Sequence, residues 1–130
     1  MKRFLIVCAA IGVMADAAQA APLLGVWQTE PDGKNQTGHV QITPCGAALC
    51  GTVVSAYDAS GKQITTASVG KRVIRDIRQT GENTFGGGQI YVPLMRAEFP
   101  LEIRVSGNHM NLKACNSAGL CRTQKWARVK

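Results

Sequence analysis

Pro44-Cys45-Gly46-Ala47-Ala48-Leu49-Cys50-Gly51 holds a tight turn between two cysteines, each followed by a glycine. Runs of strand character lie on both sides of it. Upstream, from Thr37 to Thr43, His39, Gln41 and Thr43 alternate with Val40 and Ile42, the period-two pattern of a half-buried sheet. Downstream, Thr52-Val53-Val54-Ser55-Ala56-Tyr57 resumes a strand. A cysteine-closed turn between two such runs predicts a hairpin, and the chain from Leu23 onward reads as further strands arranged about further turns.

Working outward, Leu23 to Thr29 carries Gly25-Val26-Trp27 and reads as a strand start. Pro31-Asp32-Gly33-Lys34-Asn35 is a turn, because proline presets φ and Asp-Gly supplies the bend. Asp58-Ala59-Ser60-Gly61-Lys62 is another. Gln63 to Val69 is threonine-rich without a sustained period and reads as a long loop or weak edge strand. Lys71 to Arg78 fits a strand or a short helix; its β-branched residues favour the strand. After a turn at Thr80 to Thr84, Leu101, Ile103 and Val105 alternate with Glu102, Arg104 and Ser106. Met110, Leu112 and Ala114 then alternate with Asn111 and Lys113, a second cysteine-closed turn spans Cys115 to Cys121, and Arg122 to Val129 forms a last strand. About seven or eight short strands at regular spacing, with no amphipathic helix, predict an all-β antiparallel barrel or sandwich.

The N-terminus has a different character. Met1-Lys2-Arg3, an apolar run from Phe4 to Ala15, and Ala18-Gln19-Ala20 match the three regions of a secretory signal peptide. The run falls short of the ~20 apolar residues of a membrane-spanning helix, so no stable membrane anchor is expected. The expected organisation is a signal peptide over 1–20 and one domain over 21–130. Cleavage removes Cys8 and leaves 13 basic and 7 acidic residues, a net charge of +6. Cys45, Cys50, Cys115 and Cys121 remain, an even set that in an exported chain reads as disulfides, with the periplasm as the expected location. Four cysteines allow three connectivities; local closure, Cys45 to Cys50 and Cys115 to Cys121, is favoured over the crossed pairings because each pair flanks a hairpin turn.

Few residues offer chemistry. Neither cysteine pair has the two-residue spacing of a catalytic dithiol, and their loose spacing does not suit zinc. His39 and His109 stand among polar strand or turn residues, with no Gly-x-Ser-x-Gly elbow in the chain. The acidic residues form no dense metal-ligand cluster. Gly86-Gly87-Gly88 is followed by no Lys-Ser or Lys-Thr and leads into a strand, which suits a bulge or barrel corner better than a phosphate loop. No catalytic residue, cofactor or metal is expected.

Arg122, Gln124, Trp126 and Arg128 fall on one face if the last strand alternates. That face could meet an anionic glycan, lipid headgroup or acidic protein, or simply be solvated. Arg122 and Tyr91 are candidate binding residues. Nucleic acid is not an expected partner of an exported chain with 5% aromatic residues. In a closed up-and-down barrel the first and last strands are neighbours. Gly25 and Trp27 would then meet Trp126 and Arg128, with Arg128 (or Arg122) stacked on Trp27 as a cap at one barrel end.

Gly25-Val26-Trp27, Cys45-Gly46-Ala47-Ala48-Leu49-Cys50-Gly51, Gly87-Gly88-Gln89-Ile90-Tyr91 and Gln124-Lys125-Trp126-Ala127-Arg128 occur in that order. Together they resemble the exported bacterial domain-of-unknown-function family 2147 over about residues 23–130. The resemblance implies a small lipocalin-like up-and-down β-barrel and carries no established activity. One departure is local: the family usually continues its Ile-Tyr with Asp-Pro, where this chain has Val92-Pro93. The expected protein is a monomeric, non-enzymatic, exported barrel that holds a small apolar or amphipathic ligand or acts at the cell envelope. The alternative is an interaction module, such as an inhibitor of a lysozyme or protease, that works through exposed loops on an envelope protein.

Overall fold

The alternation just described decides which side chains turn inward. Val40 and Ile42 are buried while Gln41 and Thr43 are exposed; Leu101, Ile103, Val105, Met110 and Leu112 are buried while the residues between them face solvent. The computed structural model describes residues 22–130, so the expected signal peptide and cleavage site, and Cys8, lie outside the described residues. Nine strands form: β1 (Gly25–Gln28), β2 (Thr37–Cys45), β3 (Ala48–Tyr57), β4 (Gln63–Ile64), β5 (Arg72–Gln79), β6 (Thr84–Val92), β7 (Ala97–Ser106), β8 (His109–Cys115) and β9 (Cys121–Arg128).

Each strand pairs antiparallel with its successor around the ring, except that the two-residue β4 hangs on the end of β3 and β5 takes the next place. β1 pairs with both β2 and β9, which closes eight strands into an up-and-down barrel. Closure leaves the described strands of the ring without a free edge, the liability that an open sheet of this length would carry. Among the described residues no helix is long and apolar enough to cross a membrane.

Up-and-down connectivity sorts the connections to two ends. The β2–β3, β5–β6 and β7–β8 turns share one end with Pro22–Leu24 and the last residues of the chain. The β1–β2, β3–β5, β6–β7 and β8–β9 connections share the other. The first end and the middle are filled by one core, in which Trp27, Met110, Ile77 and Phe85 are almost wholly buried.

The segment that read as strand or helix is the strand β5, and its inner face is Ile74 and Ile77. Residues three apart share a strand face only when an extra residue intervenes. Asp76, at φ 60°, is that residue. The glycine run answers it from β6: the register shifts between Phe85 and Gly88, and Gly88 lies against the backbone of Arg75 and Asp76. Gln63 to Val69 combines the short edge strand β4 with a turn.

Candidate functional site

The two barrel ends differ in what stops them. At the first, Trp27 donates its indole N–H to the carbonyl of Leu23 at 3.0 Å. The guanidinium carbon of Arg128 lies 4.2 Å from the centre of the Trp27 ring, and its nitrogens donate to the carbonyls of Leu24 (2.9 Å) and Pro22 (2.6 Å). Trp27 and Arg128 are opposite one another in the β1–β9 pairing, and it is Arg128 that lies over the indole; Arg122 sits at the far end of β9. Gly25, at φ 126°, is confined by the same cap: a Cβ there would lie 2.9 Å from an Arg128 nitrogen and 2.5 Å from the Lys130 carbonyl oxygen. Cys45 and Cys50 are bonded across the β2–β3 turn at this end, with Cα atoms 5.6 Å apart.

At the other end the inward-facing residues run out before the barrel does. They leave a cavity of about 320 Å³. Its walls are Ile90 and Val92 of β6, Phe99 and Leu101 of β7, Leu112 and Ala114 of β8, and Arg122 and Gln124 of β9. Met95 from the β6–β7 turn, Asn116 and Leu120 from the β8–β9 connection, and Cys121 at the start of β9 form the rim. Cys121 is bonded to Cys115, Cα to Cα 4.0 Å, which holds the β8–β9 side of the rim shut. Leu101 and Leu112 are buried and form the floor.

The polar groups of this cup already have partners on one side. The Trp126 indole N–H donates to Gln124 Oε1 at 2.8 Å. The backbone N–H groups of Ala118 and Leu120 donate to Asn116 Oδ1 at 3.0 and 2.9 Å. Arg122 makes no ion pair; among the described residues both salt bridges belong to Arg75, with Asp76 and Glu98.

The structure therefore places Arg122 on the cup. Tyr91 it places on the opposite face of β6 from Ile90 and Val92, where it is partly exposed and outside the lining. The row Arg122, Gln124, Trp126 and Arg128 does share one face, but that face is the barrel interior. Trp126 is 3% exposed and stands opposite buried Met110. An external basic surface built on Trp126 is thus corrected: the row runs from the open rim, through the core, to the cap. Sequence reasoning missed Phe99, whose inward phase follows from extending Leu101 and Ile103 back by two; Pro100 obscured it. Met95, Asn116 and Leu120 carried no local signal, because loop residues reach a rim only through the fold.

Two shallower hollows lie on the outer wall. One, of about 580 Å³, has Gln28, Thr37, His39 and Tyr57 as its floor and the β1–β2 and β3–β4 connections as its sides. There the His39 and Tyr57 rings lie 4.6 Å apart, and Ser55 Oγ donates to the Tyr57 hydroxyl at 3.0 Å. Partial burial, then the charge of Lys130, lowers the His39 pKa below its ordinary value. The other, of about 610 Å³, crosses polar residues of β6 to β9. Among the described residues no group of three or more His, Cys, Asp or Glu side chains could hold a metal ion.

The sequence profile of the family described as "Uncharacterized protein conserved in bacteria (DUF2147)" matches residues 25–128. No curated protein matches the chain. Among solved structures, the fold is similar to that of the Helicobacter pylori protein HP1028, described as belonging to the lipocalin family. The two are 15% identical, with a TM-score of 0.66 over 83% of each chain. At that identity the likeness speaks for the fold.

Proposed function

The chain belongs to DUF2147, the family of uncharacterised proteins conserved in bacteria, and from that footing we propose an exported, non-enzymatic binding protein. It works in the periplasm as a monomer and holds a small apolar or amphipathic ligand in the open end of its barrel. The observation that carries this reading is the cup itself: about 320 Å³, walled by apolar side chains from β6, β7 and β8, with the polar Arg122 and Gln124 of β9 at one side. Ligand pockets have that make-up and start at about that size, and eight strands are the number at which a barrel either fills with side chains or keeps room for one small ligand. This barrel does the first at its capped end and the second at its open end. The signal-peptide pattern and the two disulfides support the location.

Titration with the neutral fluorescent probe N-phenyl-1-naphthylamine tests it. Saturable binding to one site per chain is expected, with strong loss in Ala114→Trp, which fills the cup from β8. Absence of saturable binding, or full binding by the filled variant, would sink the proposal. A second reading has one observation of its own. Leu94, Met95 and Leu120, 93%, 61% and 72% exposed, project from the rim as apolar tips of the kind that meet another protein. A complex with an envelope protein that survives a sizing column and is lost in Leu94→Ser with Leu120→Ser would favour it.

A further inference from the structure

We infer that the ligand of the cup carries a single carboxylate at one end of an apolar body; this rests on the proposal that the cup binds a ligand and concerns which ligand it selects. An indole N–H can only donate, so the Gln124 atom it meets must be the amide oxygen. The Gln124 amide nitrogen, with two hydrogens, is then the end left for the cavity, and it makes no hydrogen bond among the described residues. Asn116 is fixed the same way. Two backbone N–H groups, from Ala118 and Leu120, converge on one side-chain atom, which must be its oxygen. Its amide nitrogen is likewise left over. The third polar side chain of the lining is Arg122, a donor by nature and always charged.

So three side chains line the cup with donors, while of the two side-chain acceptors Asn116 Oδ1 already takes two of the protein's own N–H groups and Gln124 Oε1 takes one. No Asp or Glu lines the cavity. A hydroxyl head group must place a donor hydrogen as well as accept, and a protonated amine has only donors to place. An amine would also meet the Arg122 charge. A carboxylate only accepts, offers about four lone-pair positions to share among three donors, and suits the guanidinium fork. Its single charge matches the one cation of the lining; a phosphate monoester, at roughly −1.5 to −2, would leave charge unmatched in an apolar cup. The apolar remainder lies against the floor of Leu101 and Leu112, with the head group on the β9 side of the mouth.

Calorimetric titration with decanoate, decanol and decylamine at neutral pH and moderate salt tests the head group at constant chain length. Decanoate should bind at least about tenfold more tightly than either of the others, the scale of one charge-assisted contact. Arg122→Ala should remove most of that advantage, read as a decanoate-to-decanol affinity ratio that falls toward one. Gln124→Glu, which exchanges a donor for an acceptor, should weaken decanoate; Gln124→Ala serves if that variant fails to fold. Equal binding of decanoate and decanol overturns the head-group inference and leaves the cup's function standing. Tighter binding of decylamine, or an Arg122→Ala variant as selective as the parent, also overturns it. Failure of all three ligands to bind removes both readings.

Discussion

A methyl group added at Gly88 would run into the carbonyl oxygen of Arg75 and sit 2.8 Å from the carbonyl carbon of Asp76. Both obstacles are backbone, which cannot swing aside. Gly88→Ala should therefore destabilise the fold by about 1–3 kcal/mol or more, the usual cost of overpacking, read as a lower midpoint in urea. An unchanged midpoint would show that β5 and β6 can separate there. At the capped end, Arg128 stacks on Trp27 and donates to two carbonyls of the entering chain. Removing it should cost more than ~1 kcal/mol, with Arg128→Lys recovering little, because an ammonium replaces neither the stacked plane nor the fork. Equal stability of Lys and Arg at this position would reduce the cap to a point charge. The pairing of a first-strand tryptophan with a last-strand arginine was legible in the sequence, since closure makes those strands neighbours. Which arginine was not: Arg122 and Arg128 share a face, and only their height in the barrel separates the rim from the cap.

Among elements, β8, β9 and their connection matter most to the cup, and the Cys115–Cys121 bond ties them. Loops this short stabilise by about 2 kcal/mol in the chain-entropy picture. Replacing both cysteines by serine should lower stability by that order and weaken probe binding, because Asn116, Leu120 and Cys121 form the rim. The same change at Cys45 and Cys50 should lower stability and leave binding alone. Binding that suffers equally from both changes would contradict the division between the ends. β5 and β7 are joined across the outside of β6 by Arg75 and Glu98, whose guanidinium and carboxylate make two contacts of 2.8 and 2.6 Å. Hydrogen bonding from Arg75 holds the Glu98 carboxyl below its usual range. A carboxyl that is more acidic when folded adds stability above its unfolded pKa and loses it as pH falls through the folded value. Glu98→Gln should therefore flatten the fall of melting temperature on the acid side and leave the slope above neutral pH untouched; an unaltered acid limb would mean the pair is idle. Strand identity was legible wherever alternation was clean, as in β2, β7 and β8. In β5 the β-branched residues pointed to the strand that forms, but its inner face was not legible: the bulge at Asp76 brings Ile74 and Ile77 to one face, which simple alternation does not do.

The whole molecule is a barrel filled along part of its length. Large side chains such as Trp27, Phe85 and Trp126 occupy the capped end and the middle, while Ala114, Gln124 and the half-buried Ile90 leave the open end hollow. Strand number and spacing left an antiparallel barrel or sandwich open, and it was the family resemblance that implied a closed barrel. The cup could not be anticipated, because its walls come from four strands and its rim from two connections that no local pattern brings together. A volume left empty is a property of packing in three dimensions and leaves no periodic trace. The central claim is that this hollow is the binding site, and a solution NMR titration of isotope-labelled protein with decanoate tests it most directly. Amide signals of Ile90, Leu101, Ala114 and Gln124 should move together and saturate, while those of Gly25, Trp27 and the Cys45–Cys50 turn stay in place. Shifts confined to the outer hollow at His39 and Tyr57, or no saturable shifts at all, would contradict it.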